Sequence, residues 1–170
     1  FKVAAQLEYI HSDLWGPART TSHGGGSYFV TFIDDFSRKV WVFILKHKSD
    51  VFQNFKTWKA SVENQTGKKI KTMRTDNGLE YLSIEFVEFC EKEGIKRHRT
   101  VRETPQQNGL AERMNRNILE RVRSMLAYSS LPKSFWAEAT STAVYLINRC
   151  PSSANQFKTP EEFWTGRPPS

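Results

Sequence analysis

Read from the N-terminus, the apolar positions change period several times, and each change marks an element. "QLEYIHSDLWG" alternates loosely and runs into Gly16-Pro17, which predicts a strand near 6 to 14. After the flexible turn "SHGGGS", the runs "YFVTFID" and "KVWVFIL" are aromatic and β-branched and are separated by "DFSR", as in a hairpin. Asp34 and Asp35 in that connection read as turn residues. Val51, Phe55, Trp58 and Val62 recur at i, i+4, i+7 and i+11, which predicts a helix capped by Ser49 and stopped by Gly67. "KIKTMRT" is a fourth strand leading into Asp76-Asn77-Gly78. A short helix from about Ser83 is expected to bury Phe86, Phe89 and Cys90 and to end at Gly94, and "IKRH" is a fifth strand.

The loop "TVRETPQQNG" feeds a long helix whose apolar residues Leu110, Met114, Ile118, Val122 and Met125 fall near every fourth position. Glu112, Asn115, Arg116 and Arg123 are placed on its other faces. Leu131-Pro132 interrupts it, and "KSFWAEATSTAVYLIN" predicts a further helix. Thr159-Pro160-Glu161-Glu162 has the form of a capping box with proline at the first helical position. Three strands, helix, strand, helix, strand and two helices make an α/β domain with a five-stranded mixed sheet flanked by helices.

Composition narrows the reading. A chain of 170 residues suits one compact domain, and 38% hydrophobic residues with 12 Phe and 5 Trp can fill a core. No apolar run approaches the ~20 residues that span a bilayer, so no membrane partner is expected. The start, "FKVAAQLEYIHSD", lacks the pattern of a signal peptide. Cys90 and Cys150 are too few for a disulfide framework and read as buried, reduced thiols.

The net charge of +7 points to an anionic partner. Its distribution sharpens this. Lys96 to Arg123 holds eight Lys or Arg against three Glu, whereas residues 79–93 hold five Glu and one Lys.

Within the basic stretch stands "TPQQNGLAERMNR", where the acid Glu112 is surrounded by amides and arginines suited to phosphates. Phosphodiester chemistry commonly uses two divalent ions ~3.5–4 Å apart. Such hard ions take oxygen ligands, so two or three acids must converge from separate elements. Asp13, Asp76 and Glu112 are the candidates: two strand ends and a helix start, with 35 residues between the last two. Eighteen acids make any one spacing weak evidence by itself. The flanks add more: Asn77-Gly78 makes a tight turn, and Gln106, Gln107 and Asn108 offer amide donors to DNA. The four histidines and two cysteines lack zinc-ligand spacing, so no zinc site is expected.

"HSDLWGP", "FIDDFSRKVWV", "RTDNGLEY", "TPQQNGLAERMNR" and "LPKSFWAEA" together resemble the integrase core of copia-type LTR retrotransposons, within the retroviral integrase superfamily. The resemblance covers essentially the whole chain and implies an RNase H-like fold, with the first three strands antiparallel. It implies a catalytic triad of Asp13, Asp76 and Glu112 that binds two Mg²⁺ or Mn²⁺ ions. The implied reactions are water attack near the 3′ ends of element DNA, then attack by the freed 3′-OH on target DNA.

Asn108, Asn115 and Arg116 match positions used around the active site and the DNA end. With Asn77, Gln106, Gln107, Arg113 and Arg123 they form the expected DNA contacts. Double-stranded DNA and further copies of the chain, at least a dimer, are the implied partners. The implied locations are the nucleus and a cytoplasmic virus-like particle. Residues 1–170 are expected to form a single catalytic core, without the flanking zinc-binding and C-terminal DNA-binding domains of relatives. Two alternatives stay open. One is a ribonuclease H-type nuclease, which would want a fourth acid; Glu80 is the near candidate, read as an outward helix-start acid. The other is a domesticated, non-catalytic DNA-binding or dimerisation module.

Overall fold

A computed structural model describes residues 3–100 and 109–170, so Gln106, Gln107 and Asn108 lie outside the described residues. The chain runs β1 (Tyr9–Trp15), β2 (Tyr28–Asp34), β3 (Val40–Leu45), α1 (Asp50–Thr66), β4 (Thr72–Thr75), α2 (Leu79–Leu82), α3 (Ile84–Lys92) and β5 (Lys96–Arg99). It continues through α4 (Gly109–Ser129), α5 (Trp136–Arg149) and α6 (Pro160–Thr165). The strands form one sheet in the order β3-β2-β1-β4-β5. β1, β2 and β3 pair antiparallel, while β4 joins β1 and β5 joins β4 in parallel. The mixed five-stranded α/β architecture expected from the sequence is therefore present.

Both faces of the sheet are covered. Val30 and Phe32 of β2 face α1 and α3 and pack with Ile10, Val51, Phe55, Trp58 and Phe86. Phe29 and Ile33 face the other way, against Ala111, Ile118 and Val122 of α4 and Trp136 and Ala143 of α5. This is the period-2 alternation of a strand read on two buried sides. It explains why "YFVTFID" is apolar almost throughout.

Several local expectations shift. β1 begins at Tyr9 and extends through Trp15. Ser49 is itself helical (φ −63°, ψ −16°) and makes no side-chain cap; the Asp50 carboxylate instead accepts from the His47 N–H at 2.9 Å. Gly67, at φ 67°, ends α1 as expected. The turn α2 precedes the helix expected from Ser83, whose hydroxyl caps α3 by accepting from the Phe86 N–H. Phe86 and Cys90 are buried, but Phe89 only half so. Lys133–Phe135 form a 3-10 turn before α5. Thr159 caps α6 by accepting from the Glu162 N–H, with Pro160 at the first position. Cys90 and Cys150 are both free, and Cys150 is half-buried rather than buried.

The largest difference is the facing of α4. Its buried residues are Ala111, Asn115, Ile118 and Val122, while Leu110, Met114 and Met125 are only partly covered. Ala111 carries nothing beyond Cβ, so the first turn can approach the sheet closely. The helix is thereby rotated from the stripe its largest apolar residues suggest, and Asn115 turns inward.

Candidate active site

Asp13 and Asp76 meet because β1 and β4 are parallel neighbours. Tyr9 pairs with Thr72, Ile10 with Met73 and His11 with Arg74. Continuing that register by two residues sets Asp13, near the end of β1, beside Asp76, the first residue past β4. The side chains of β1 alternate, with Ile10 in the core beneath α1 and Asp13 facing α4.

On the α4 side Asp13 meets Asn115. The Asn115 amide donates from Nδ2 to Asp13 Oδ2 at 3.1 Å and accepts at Oδ1 from the Thr31 hydroxyl at 2.8 Å. Thr31 is the cross-strand partner of Asp13 on β2. An ionised carboxylate only accepts, so the amide must present its NH₂ to Asp13 and its oxygen to Thr31. Asn115 is 4% exposed and both ends of its amide are engaged. In this arrangement Asn115 holds Asp13. Glu112 lies three residues earlier on α4, hence one turn away on nearly the same face, and its side chain is exposed.

Asp76 is held by its own turn. Its Oδ1 accepts from the Gly78 N–H at 2.9 Å, and its carbonyl accepts from the Thr75 hydroxyl at 2.9 Å. The Asn77 amide donates to the Thr100 carbonyl at 2.7 Å, tying the turn to the end of β5. Beneath the two strand ends lies Tyr81, fully buried, with its hydroxyl 2.9 Å from that of Ser12.

Electrostatics joins the three acids. Burial pushes the Asp13 carboxyl up from its ordinary 3.8 to about 7, and the nearby charges of Asp76 and then Glu112 push in the same direction. The Leu14 N–H and the Asn115 amide oppose this without offsetting it. Among the described residues no three His, Cys, Asp or Glu side chains stand close enough to hold an ion as they are. The donor set, all carboxylate oxygen, is of the kind hard divalent cations take, and Mg²⁺ completes its shell with water and phosphate oxygens.

The other expected site residues divide. Arg113, Arg116 and Arg123 are exposed and, at i, i+3 and i+10, share one side of α4. Arg97, inside the basic stretch, points into the core beneath α2 and α3. Glu80 does not point outward: it is half-buried, folds back over Gly78 and lines the same groove as Asp76. Asp34 and Asp35 are structural, as expected. Asp34 accepts from the Leu7 and Ser37 N–H groups, and Asp35 pairs with His11 at 2.7 Å. The supporting residues Thr31, Ser12, Tyr81 and Arg97 drew no attention in the sequence. The small Ala111 one turn before Asn115 was the available signal for the inward amide.

Residues 4–105 match the family described as Integrase core domain. The chain belongs to that family. This integrase core is 56% identical over 161 residues to the retrovirus-related Pol polyprotein from transposon TNT 1-94 of Nicotiana tabacum, covering 95% of this chain and 12% of that protein. It is 38% identical over 164 residues to the Pol polyprotein from transposon RE2 of Arabidopsis thaliana, covering 96% of this chain and 11% of the relative. With the Ty1-DR4 Gag-Pol polyprotein of Saccharomyces cerevisiae the identity is 30% over 144 residues, with coverage of 84% and 9%. These are copia-type relatives, and the integrase core spans about an eighth or less of each.

Two solved structures share the fold. A chain of the simian T-cell lymphotropic virus intasome in complex with PP2A regulatory subunit B56 gamma superposes with TM-score 0.74 at 21% identity, covering 95% of the integrase core and 56% of that chain. The HTLV-2 integrase catalytic core domain in complex with magnesium, in a trimeric form, gives 0.65 at 23%, with coverage of 92% and 95%.

Proposed function

We propose that this integrase core is a metal-dependent polynucleotidyl transferase that trims the 3′ ends of element DNA and joins them to target DNA. The observation that carries the reading is the convergence of Asp13 and Asp76 through the parallel β1–β4 register. Asn115 ties Asp13 to α4 within one turn of Glu112. Two Mg²⁺ or Mn²⁺ ions held by Asp13, Asp76 and Glu112 would activate the attacking oxygen and stabilise the leaving one.

The protein's own residues do the rest. Asn115, itself held by Thr31, anchors the Asp13 carboxylate to α4, and the Gly78 N–H orients Asp76. Arg113, Arg116 and Arg123 offer three exposed guanidiniums to DNA phosphates along one side of α4, which positions the duplex without reading its sequence. Self-association, at least as a dimer, belongs to the same proposal. The trimeric form and the intasome named for the structural relatives favour it, and the exposed Tyr145 and Leu146 of α5 offer apolar surface.

The test is Asp76→Asn. An amide oxygen is a far poorer ligand for a hard cation than a carboxylate. The variant should lose Mn²⁺ binding in calorimetric titration and lose Mn²⁺-dependent strand transfer, while keeping its circular dichroism and its DNA affinity. Wild-type strand transfer by this variant would sink the triad assignment.

A further inference from the structure

Arg97 stands in the most basic stretch of the chain, yet its side chain makes a different set of contacts. β5 pairs Arg97 with Met73 of β4, a core residue, so both side chains face α2 and α3. One terminal guanidinium nitrogen donates to the Tyr81 carbonyl at 3.0 Å and to the Thr75 hydroxyl at 3.4 Å. The other reaches the Cys90 thiol at 3.8 Å, and the guanidinium stacks 4.7 Å from the centre of the Phe86 ring. A solvated phosphate contact needs a mobile, exposed arginine; this one is half-buried and fixed on four sides.

What it fixes is the segment that presents Asp76. Thr75 precedes that residue, and its hydroxyl donates to the Asp76 carbonyl. Tyr81 ends the turn that starts there: its N–H donates to the Gly78 carbonyl at 3.0 Å, and Gly78 in turn donates to the Asp76 carboxylate. α2 has four residues, too few to hold itself by internal bonds, so its carbonyls need an outside donor. The Tyr81 hydroxyl then meets Ser12, next to Asp13 on β1. Arg97 thus bonds both ends of the 75–81 loop, and through Tyr81 that loop is joined to the strand of the partner carboxylate.

We propose that Arg97 is a positioning residue that sets the separation of the Asp76 and Asp13 carboxylates and so tunes divalent-cation affinity. The proposal rests on the metal-dependent reading of the triad. It predicts that Arg97→Met weakens Mn²⁺ binding by about tenfold, the low end for residues that orient metal ligands. Thr75→Val, which keeps the shape of the buried hydroxyl residue, should weaken it in the same direction.

The experiment is calorimetric Mn²⁺ titration of wild type, Arg97→Met, Thr75→Val and Asp76→Asn, run well below each melting midpoint, beside the salt dependence of DNA binding. A role confined to stability lowers the melting midpoint without moving Mn²⁺ affinity at low temperature. Wild-type Mn²⁺ affinity in folded Arg97→Met overturns the proposal. So does a salt slope shallower by roughly one unit with metal affinity intact, which would make Arg97 a phosphate contact. If Arg97→Met does not fold, Thr75→Val decides, and unchanged Mn²⁺ affinity in it overturns the proposal. Unchanged Mn²⁺ binding in Asp76→Asn would remove the triad reading itself. Loss there, with wild-type binding in the other two variants, removes the role of Arg97 alone.

Discussion

Asn115 carries a prediction peculiar to this structure. Its amide bridges Thr31 and Asp13 inside the α4–sheet contact, so Asn115→Leu removes the donor to Asp13 and leaves the Thr31 hydroxyl only its longer bond, 3.4 Å, to the Asp13 carbonyl. Mn²⁺ affinity should fall by about 10–100-fold, and denaturant titration should show a loss of about 1–3 kcal/mol. Unchanged Mn²⁺ affinity would make Asn115 a packing residue only. Asp13 adds a pH dependence. Its folded value of about 7 lies above the ordinary 3.8, so the folded state binds more protons in between. Its contribution to stability is full below about pH 4 and is lost as pH rises through about 7. Without metal, the melting midpoint of wild type should therefore fall over that window more steeply than that of Asp13→Asn. Parallel curves would show that the carboxyl is not perturbed.

At the scale of elements, the proposed reading gives α4 two roles on different sides. Its inner side holds Asn115 against β1 and β2, and its outer side carries Arg113, Arg116 and Arg123. On that reading DNA binding should be weak, salt-sensitive and largely indifferent to sequence, because it would rest on phosphate contacts. Arg116→Ala should make the slope of log K against log salt shallower by roughly one unit, measured by fluorescence anisotropy. A slope equal to wild type would place Arg116 away from the phosphates.

For the whole molecule, the proposed reading separates the parts needed for chemistry from those needed to select a substrate. On the proposed reading, two acids at neighbouring strand ends, Glu112 on α4 and the basic side of that helix would suffice to act on a phosphodiester that is already in place. Bringing two DNA ends together from solution is a larger task, since positioning can be worth ~7–11 kcal/mol of a barrier. The 170-residue domain with Mn²⁺ should therefore resolve a branched oligonucleotide, the reverse of joining, and act poorly on linear ends. Inactivity on both substrates, in protein shown to be folded and metal-binding, would count against a competent core. Efficient joining of linear ends would show that this domain selects them unaided.

Some of this was legible in the order of residues. Local rules act over a few positions, so the strands "YFVTFID" and "KVWVFIL", the helix stopped at Gly67 and the cap at Thr159 could all be read directly. The candidate acids were also visible, because Asp76-Asn77-Gly78 and Glu112 among amides and arginines carry their chemistry in their neighbours. Which side of α4 faces the sheet was not visible. Leu110, Met114 and Met125 offered the larger apolar surface, yet the small Ala111 allows the close approach that buries Asn115 instead. Nor could charge counting show that Arg97 turns inward. That depends on β5 lying parallel beside β4, which puts its side chain under a four-residue turn in need of a donor. Pairing between distant strands decides such matters, and it decides them for Asp13 and Asp76 too: 63 positions apart in the chain, they become neighbours through the β1–β4 register.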